Sequence, residues 1–479
     1  MKKPIIALIL AVSFMLLFAS CSAGGTKTAK LDPNNPTTIT VWHYYNGDQQ
    51  SSFNSLIDKF NQTQGKKEGI VVEASSQGAV KDLENNVLAA ADGKVGASDV
   101  PNIFAAYSDT AYAVDRKGLV ADLSPYFSKK ELNQYIDSYV EEGRFSGDDS
   151  LKIFPIAKST EIFMINKTDW DKFAKATGAD ISDLQTLEGL TATAKAYYEW
   201  TDSQTPKAND GKAFFGRDAM ANYFIIGAKQ LGVEIFSLKD GKPVLNFDKD
   251  VMKKLWDNYY VPYIKGYFSA SGRFRSDDIK TGNIIAFVGS SSGASFFPTE
   301  VIIDDNNSYP IDMEVYQAPQ FKGGEKYAVQ QGAGMVVTNA SDEEIYASVE
   351  FLKWFTNTEN NVEFSLASGY LPVTKDGNNR DALNLSDETD KKTVAIVSTA
   401  IETVENNTLY TTKAFKNGTQ ARDILEYSLS DKASADRKGV EANLKKGMGL
   451  DEAAAAFDND KNFEEWYTKT LNELEELMQ

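Results

Sequence analysis

The chain has 479 residues, 42% hydrophobic and 25% charged, which is too long for one ordinary core and too apolar for disorder. Its 50 Lys and Arg stand against 68 Asp and Glu, and the formal net charge of −18 makes nucleic acid and anionic membrane surfaces poor partners. One cysteine and one histidine exclude an internal disulfide, CxxC zinc or redox frameworks and most histidine-based metal sites.

In chain order, Lys2 and Lys3 precede a nearly unbroken apolar run from Pro4 to Phe18, with small Ala19 and Ser20 after it. This pattern predicts a secretory signal peptide over 1–20. The only cysteine, Cys21, follows directly, in a Leu17-Phe18-Ala19-Ser20-Cys21 stretch that resembles the bacterial lipobox. That likeness implies lipidation at Cys21 and an anchor on the extracellular face of a bacterial cell membrane. Residues 21–36 are small, polar and punctuated by Pro33 and Pro36, and read as a flexible tether.

Beyond the tether, β-branched Thr38 to Trp42 predicts a strand. Phe53, Leu56, Ile57 and Phe60 then recur at helical spacing. Ile70 to Ala74 predicts a second strand, Lys81 to Ala91 a second helix, and Asn102 to Ala106 a third strand. This β-α-β-α-β order predicts a mainly parallel sheet covered by helices, with ligand beyond the carboxyl ends of the strands. A second α/β stretch begins near Lys152 to Ile156, with strands at Glu161 to Ile165, Ile284 to Val288 and Gly334 to Thr338. Ile345 to Phe355 is a strongly periodic helix, and the tail from Asp390 reads as mostly helical.

Several segments together resemble extracellular solute-binding proteins of ATP-binding-cassette importers, the family that includes maltose- and glycerol-3-phosphate-binding proteins. They are TITVWHYYNG from Thr38, IFPIAKSTEIFMINKTDW from Ile153, FVGSSSGA from Phe287, YAVQQGAGMVVT from Tyr327 and ASGYLPVT from Ala367. The resemblance implies a two-lobed, type II periplasmic-binding-protein-like α/β fold, each lobe a mixed sheet flanked by helices, with the ligand cleft between lobes. It implies an N-terminal lobe of 37–154 plus 328–356 and a C-terminal lobe of 155–327 plus 357–479. The chain would cross near Phe154-Pro155, Glu325 to Ala328 and Asn357 to Asn361.

The glycerol-3-phosphate type is the nearest pattern, and it places ligand contacts at Ser159, Ser292, Gly332, Tyr370 and Arg422. The type's tyrosine after the second strand is not matched at Ser75-Ser76-Gln77, and its glutamate after the third is replaced by Ser108 or Asp109. The residues also speak for themselves. A sugar needs flat apolar platforms edged by directed hydrogen-bonding groups. Trp42, Tyr44 and Tyr45 cluster at one strand end; Ser108, Asp109, Ser159 and Ser292 can bond hydroxyls. Lys158 and Arg422 could receive a phosphate. Each of these also has a plainer role: rings in a core, serines in turns, charges at the surface.

The expectation is a monomeric substrate-binding lipoprotein, without cofactor or metal. It takes a small carbohydrate or polyol phosphate by hinge closure and passes it to a membrane permease. The alternative is a surface-anchored carbohydrate-processing enzyme with a glycosidase-like carboxylate pair. A Gly289-x-Ser291-x-Gly293 match has its only histidine, His43, far upstream, in the wrong order for a triad. Asp458-x-Asp460-x-Asn462 opens like a calcium loop but lacks the closing Gly and Glu.

Overall fold

The computed structural model describes residues 26–383 and 390–478. The expected signal peptide and Cys21 lie outside the described residues. The expected tether is corrected from Lys27 onward. Its N–H donates to the Pro125 carbonyl at 2.7 Å, its Nζ sits 2.7 Å from Asp342, and Leu31 packs against the first core. An apolar leucine and a backbone hydrogen bond hold residues 27–36 on the body.

Strand β1 (Thr37–His43) is central in the first sheet. It runs parallel to β2 (Ile70–Ser76) along its whole length and parallel to β3 (Ile103–Ala106), as the β-α-β-α-β order predicts. The return strand Gly334–Val337 closes the sheet antiparallel to β3. Helix Gly47–Gln62 buries Phe53, Leu56, Ile57 and Phe60, the residues that the helical spacing selected.

The second sheet centres on β4 (Glu161–Asn166), antiparallel to both Met313–Gln317 and Ala286–Ser290. Strand β5 (Phe215–Arg217) runs parallel to Ala286–Ser290. All six residues of β4 are buried. Phe163 and Ile165 enter one apolar cluster and Ile162 and Met164 another, so helices cover this sheet on both faces. The larger cluster also receives Leu425 and Leu429 of helix Gly418–Leu444 and Trp466 and Leu474 of helix Asp460–Met478.

The crossings fall a few residues beyond their expected places. Ile156 and Ala157 still pack in the first core, and Ile162 is the first residue in the second lobe's clusters. On the return, Val329 belongs to the second lobe and Ala333 to the first. Helix Thr358–Ser368 and the turn after it straddle the seam. Phe364, Tyr370 and Val373 enter the first core, whereas Val362 and Leu371 enter a second-lobe cluster. The proposed lobe boundary at 357 is corrected accordingly: Phe364 packs on Phe53, Phe355 and Tyr45, so this segment cannot be assigned to the C-terminal lobe alone.

Backbone pairs bind the crossings together. Ser159 and Gln331 exchange both N–H···O bonds at 2.8 and 3.0 Å, and Lys158 and Leu371 do the same at 3.2 and 2.6 Å. Gly332 stands at a tight point of this pairing, with φ +93° and a would-be Cβ 3.0 Å from both the Ala157 carbonyl oxygen and Lys158 Cα. Gly332→Ala is therefore expected to destabilise the fold by about 1–3 kcal/mol, from backbone strain and this contact together. Urea denaturation measures it, and a loss of only a few tenths would contradict the strained-crossing account.

Candidate ligand-binding cleft

The cleft between the lobes holds a cavity of about 1030 Å³. Tyr44, Asn46, Gln49 and Tyr107 line it from the first lobe, and Ser159, Gln331 and Tyr370 line it from the crossings. Tyr44 follows β1 and Tyr107 follows β3, so both stand at carboxyl ends of parallel strands, where an open α/β sheet places its ligand. Tyr44 Oη lies 3.1 Å from Tyr370 Oη and accepts from the Ala333 N–H at 3.4 Å. Burial pushes the Tyr44, Tyr107 and Tyr370 hydroxyls well above the usual phenol range, so all three stay neutral hydrogen-bonding groups.

The second-lobe wall is a polar network that neutralises itself. Arg217, at the end of β5, donates from Nη2 to Glu161 Oε2 at 2.7 Å. Asn222 Nδ2 donates to Glu161 Oε1 at 3.0 Å and to Gln331 Oε1 at 2.9 Å. Arg422 Nη2 donates to Asn222 Oδ1 at 2.9 Å. Arg217 Nε is buried without a partner among the described residues, which leaves one donor of a cleft-lining side chain unsatisfied. Nearby, Arg275 is paired with Asp278, and its Nε lies 3.5 Å from Asp218. Burial raises the Asp218 carboxyl to about 6, against the pull of Arg275.

The lobes touch across the cleft. Gln49 Nε2 donates to the Ser292 carbonyl at 2.9 Å, and Lys81 lies 3.5 Å from Asp423. Asp109, in the first turn of helix Ser108–Asp115, meets the N-terminal part of helix Gly418–Leu444. A Cβ at Gly418 would collide with the Asp109 carboxylate, so glycine permits this approach. Burial raises the Asp109 carboxyl to about 6 although Arg422 draws it down, and Oδ1 has no partner among the described residues.

Of the residues singled out in the sequence, Tyr44, Ser159, Ser292 and Tyr370 converge on the cleft. Asp109 and Arg422 face one another at its seam. The others are corrected. Trp42 is half-buried against the first core and is not among the residues that line the cleft. Tyr45 is 1% exposed and packs among His43, Phe53 and Phe364, behind Tyr370. Ser108 is buried at a helix start. Lys158 is 1% exposed and bonds Glu142 at 2.8 Å and the Gly332 carbonyl at 2.7 Å, so its charge is spent inside the protein. Gly332 packs on Ala157, Lys158 and Ser159 at the crossing and is not among the residues that line the cleft.

No ligand role was read from the sequence for Tyr107, Gln49, Glu161, Arg217, Asn222 or Gln331. Tyr107 opens the marked strand end Tyr107-Ser108-Asp109, and Glu161 and Gln331 lie inside two of the family segments. Arg217 could have been found by the strand-end rule had three-residue β5 been recognised.

A family model described as bacterial extracellular solute-binding protein matches residues 55–384, more than half of the chain. No curated protein matches the chain in sequence. Among solved structures, a cyclic alpha-maltosyl-1,6-maltose binding protein from Arthrobacter globiformis superposes with a TM-score of 0.66 at 17% identity, covering 93% of this chain and 99% of that one. UgpB from Mycobacterium tuberculosis, in complex with glycerophosphocholine, gives 0.65 at 16%, covering 92% and 100%. An ABC substrate-binding protein from Listeria monocytogenes, in complex with cycloalternan, gives 0.62 at 17%, covering 91% and 100%. At these identities the likeness is one of fold, and the fold is the two-lobed binding-protein architecture.

The Asp109 carboxyl carries a pH signature. Its folded pKa of about 6 exceeds the ordinary 3.8, so between those values the native chain holds more protons than the unfolded chain. Stability therefore falls as pH rises through that window, by about 1–3 kcal/mol for this group. Asp109→Asn is expected to flatten this part of the stability–pH curve and to stabilise the protein at neutral pH. Denaturant midpoints at acid and neutral pH measure it, and a variant with the parent's pH slope would contradict the assignment.

Proposed function

The chain belongs to the bacterial extracellular solute-binding proteins, and we propose that it captures a small neutral carbohydrate in the cleft and delivers it to a membrane importer. The observation that carries this reading is the chemistry of the cleft wall. Neutral hydroxyls and amides from Tyr44, Tyr107, Tyr370, Ser159, Gln49 and Gln331 converge there, while Arg217 and Arg275 are neutralised by Glu161 and Asp278. A sugar presents hydroxyls to the first set and asks for no net charge. A phosphate would need cations presented without nearby carboxylates, but Lys158 is paired away from the cleft, Arg422 is bonded to Asn222 and faces Asp109, and the exposed Arg273 and Lys280 share the lining with Asp218, Asp277, Glu300 and Glu426. Neutral carbohydrate is therefore preferred over glycerol 3-phosphate.

Function follows from closure. Ligand contacts both lobes only when they are together, so binding shifts an open–closed equilibrium by its differential affinity for the two forms. The closed surface is the form the permease would read, and the solute leaves unaltered. Lipidation at Cys21 would keep the protein at the extracellular face of the membrane. Among the described residues no helix is long and apolar enough to cross it.

Calorimetry and thermal melting with neutral sugars, oligosaccharides and polyol phosphates test the reading. The expected result is a raised melting temperature with a neutral sugar, recovered intact. Tightest binding of a phosphorylated ligand, or appearance of a cleaved product, would overturn it. Tyr370→Phe is expected to weaken that ligand about fivefold to tenfold, by removing one cleft hydroxyl. Trp42→Phe should leave the affinity unchanged; the reverse pattern would move the site. Cys21→Ser is expected to release the protein into the medium, and retention in the membrane fraction would place the anchor elsewhere.

A further inference from the structure

Two asparagines of the chain precede a glycine, Asn46 and Asn417. Asparagine is a thermolabile residue, and the pair Asn-Gly is its most reactive setting, because glycine has no side chain to shield its backbone nitrogen from the amide before it. In the reaction, the glycine nitrogen bonds to the asparagine Cγ and the Cγ–Nδ2 bond breaks. Ammonia leaves with the proton that the glycine nitrogen gives up. Water then opens the cyclic imide at either carbonyl. The net change is amide plus water to carboxylic acid plus ammonia, with no oxidant or reductant. Opening on one side gives aspartate. Opening on the other gives isoaspartate, whose backbone runs through the former side chain and is one carbon longer.

The fold treats the two pairs differently. Asn46 joins β1 to helix Gly47–Gln62, is exposed, and makes no capping hydrogen bond to that helix. Its carbonyl accepts a long bond of 3.3 Å from the Gln50 N–H. Gly47 is exposed too, with φ +51°, and a Cβ there would meet nothing within 4 Å among the described residues. Its N–H opens the helix and has no carbonyl one turn back to receive it. Both reacting groups are therefore uncommitted and uncrowded.

Asn417 is the reverse case. Its Nδ2 donates to the Leu477 carbonyl at 2.9 Å. Gly418 is buried, its N–H donates to the Phe415 carbonyl at 3.0 Å, and the Asp109 carboxylate closes over its α-carbon. Imide formation there would break two hydrogen bonds and displace a packed glycine.

Asn46 also lines the cleft. An amide that donates and accepts would become a carboxylate that only accepts, and a negative charge would enter the neutral first-lobe wall. An isoaspartate would lengthen the join between Tyr44 and Gln49, and Gln49 donates to the carbonyls of Ser292 and Ser368 at 2.9 and 3.2 Å.

We propose that Asn46 is a self-modification site: in the folded protein it loses its amide through the Gly47 nitrogen, Asn417 is protected, and the product carries a carboxylate in the cleft. The time a chain has been folded then sets the chance that its cleft is charged. The modification goes beyond the carbohydrate reading and does not depend on it.

The test is incubation of the purified protein at mildly alkaline pH, folded and in urea, with peptide mapping by mass spectrometry at intervals. A converted asparagine gains one mass unit. In the folded protein Asn46 is expected to convert about tenfold faster than Asn417, the effect of two hydrogen bonds on a barrier. In urea the two should convert at similar rates. Asn46→Gln, which would need a larger ring, and Gly47→Ala, which shields the nitrogen, should each suppress conversion at position 46. Equal rates in the folded protein, or a preference for Asn46 that survives in urea, overturn the inference. Maltotriose, cellotriose and mannotriose are then titrated into the fresh protein and into the aged fraction isolated by anion exchange. A sugar that binds the fresh protein is expected to bind the aged fraction about fivefold to tenfold less tightly; equal affinity overturns the claim on the cleft. This arm alone rests on the carbohydrate reading. If none of the three binds while another solute class raises the melting temperature, that reading falls, and the peptide map decides the modification by itself.

Discussion

Two consecutive residues, Lys158 and Ser159, tie the molecule together. Successive backbone groups of an extended strand point to opposite sides. Lys158 thus pairs with Leu371 on one edge and Ser159 with Gln331 on the other, and three passages between the lobes become one three-stranded strap. The Lys158 side chain secures the strap by bonding Glu142 and the Gly332 carbonyl. The same strap sets the base of the cleft, because Ser159, Gln331 and Tyr370 are strap residues or their neighbours. A strap built this way joins the lobes at one place and fixes Ser159, Gln331 and Tyr370 relative to it.

Charge is handled by local cancellation. A strongly acidic body would disfavour an anionic guest, and the cleft wall does nothing to reverse that. Arg217 and Arg275 are matched to carboxylates, Arg422 is divided between Asn222 and the facing Asp109, and the exposed Arg273 and Lys280 share the lining with Asp218, Asp277, Glu300 and Glu426. From the first lobe and the strap the lining is a set of neutral donors and acceptors, kept neutral by burial in the case of the tyrosines. Asp109 is the costly member: a carboxylate withdrawn from water, lacking a partner on Oδ1, at a contact between lobes. Withdrawing a carboxylate from water without a full set of partners is costly, which is why burial raises the Asp109 carboxyl.

The first sheet and its helices were legible because they rest on periodicity, whereas two strands of the second sheet, Met313–Gln317 and β5, were not expected. Phe53, Leu56, Ile57 and Phe60 could only share a helix face, and the β-α-β-α-β order could only give parallel neighbours for β1. The cleft was legible in part. Tyr44 and Tyr370 reached it because each adjoins a chain feature visible in one dimension, a strand end and a Gly-Tyr-Leu-Pro turn. Trp42 and Tyr45 did not: Trp42 packs against the first core, and Tyr45, past the end of β1, is covered by Phe53 and Phe364, contacts that only the assembled lobe decides. Short β5 left no periodic trace, so Arg217 stayed hidden.

The order of elements, the apolar faces and the family likeness are local or additive properties, and the amino-acid sequence alone determined them. Whether a given charge is available to a ligand is a different kind of property. Lys158 and Arg422 looked alike as cations beside family motifs, yet one lies buried on Glu142 and the other spans a seam to Asn222 and Asp109. Such pairings join residues up to hundreds of positions apart, and electrostatic energy depends on distance and burial in space. Only the tertiary structure could decide them.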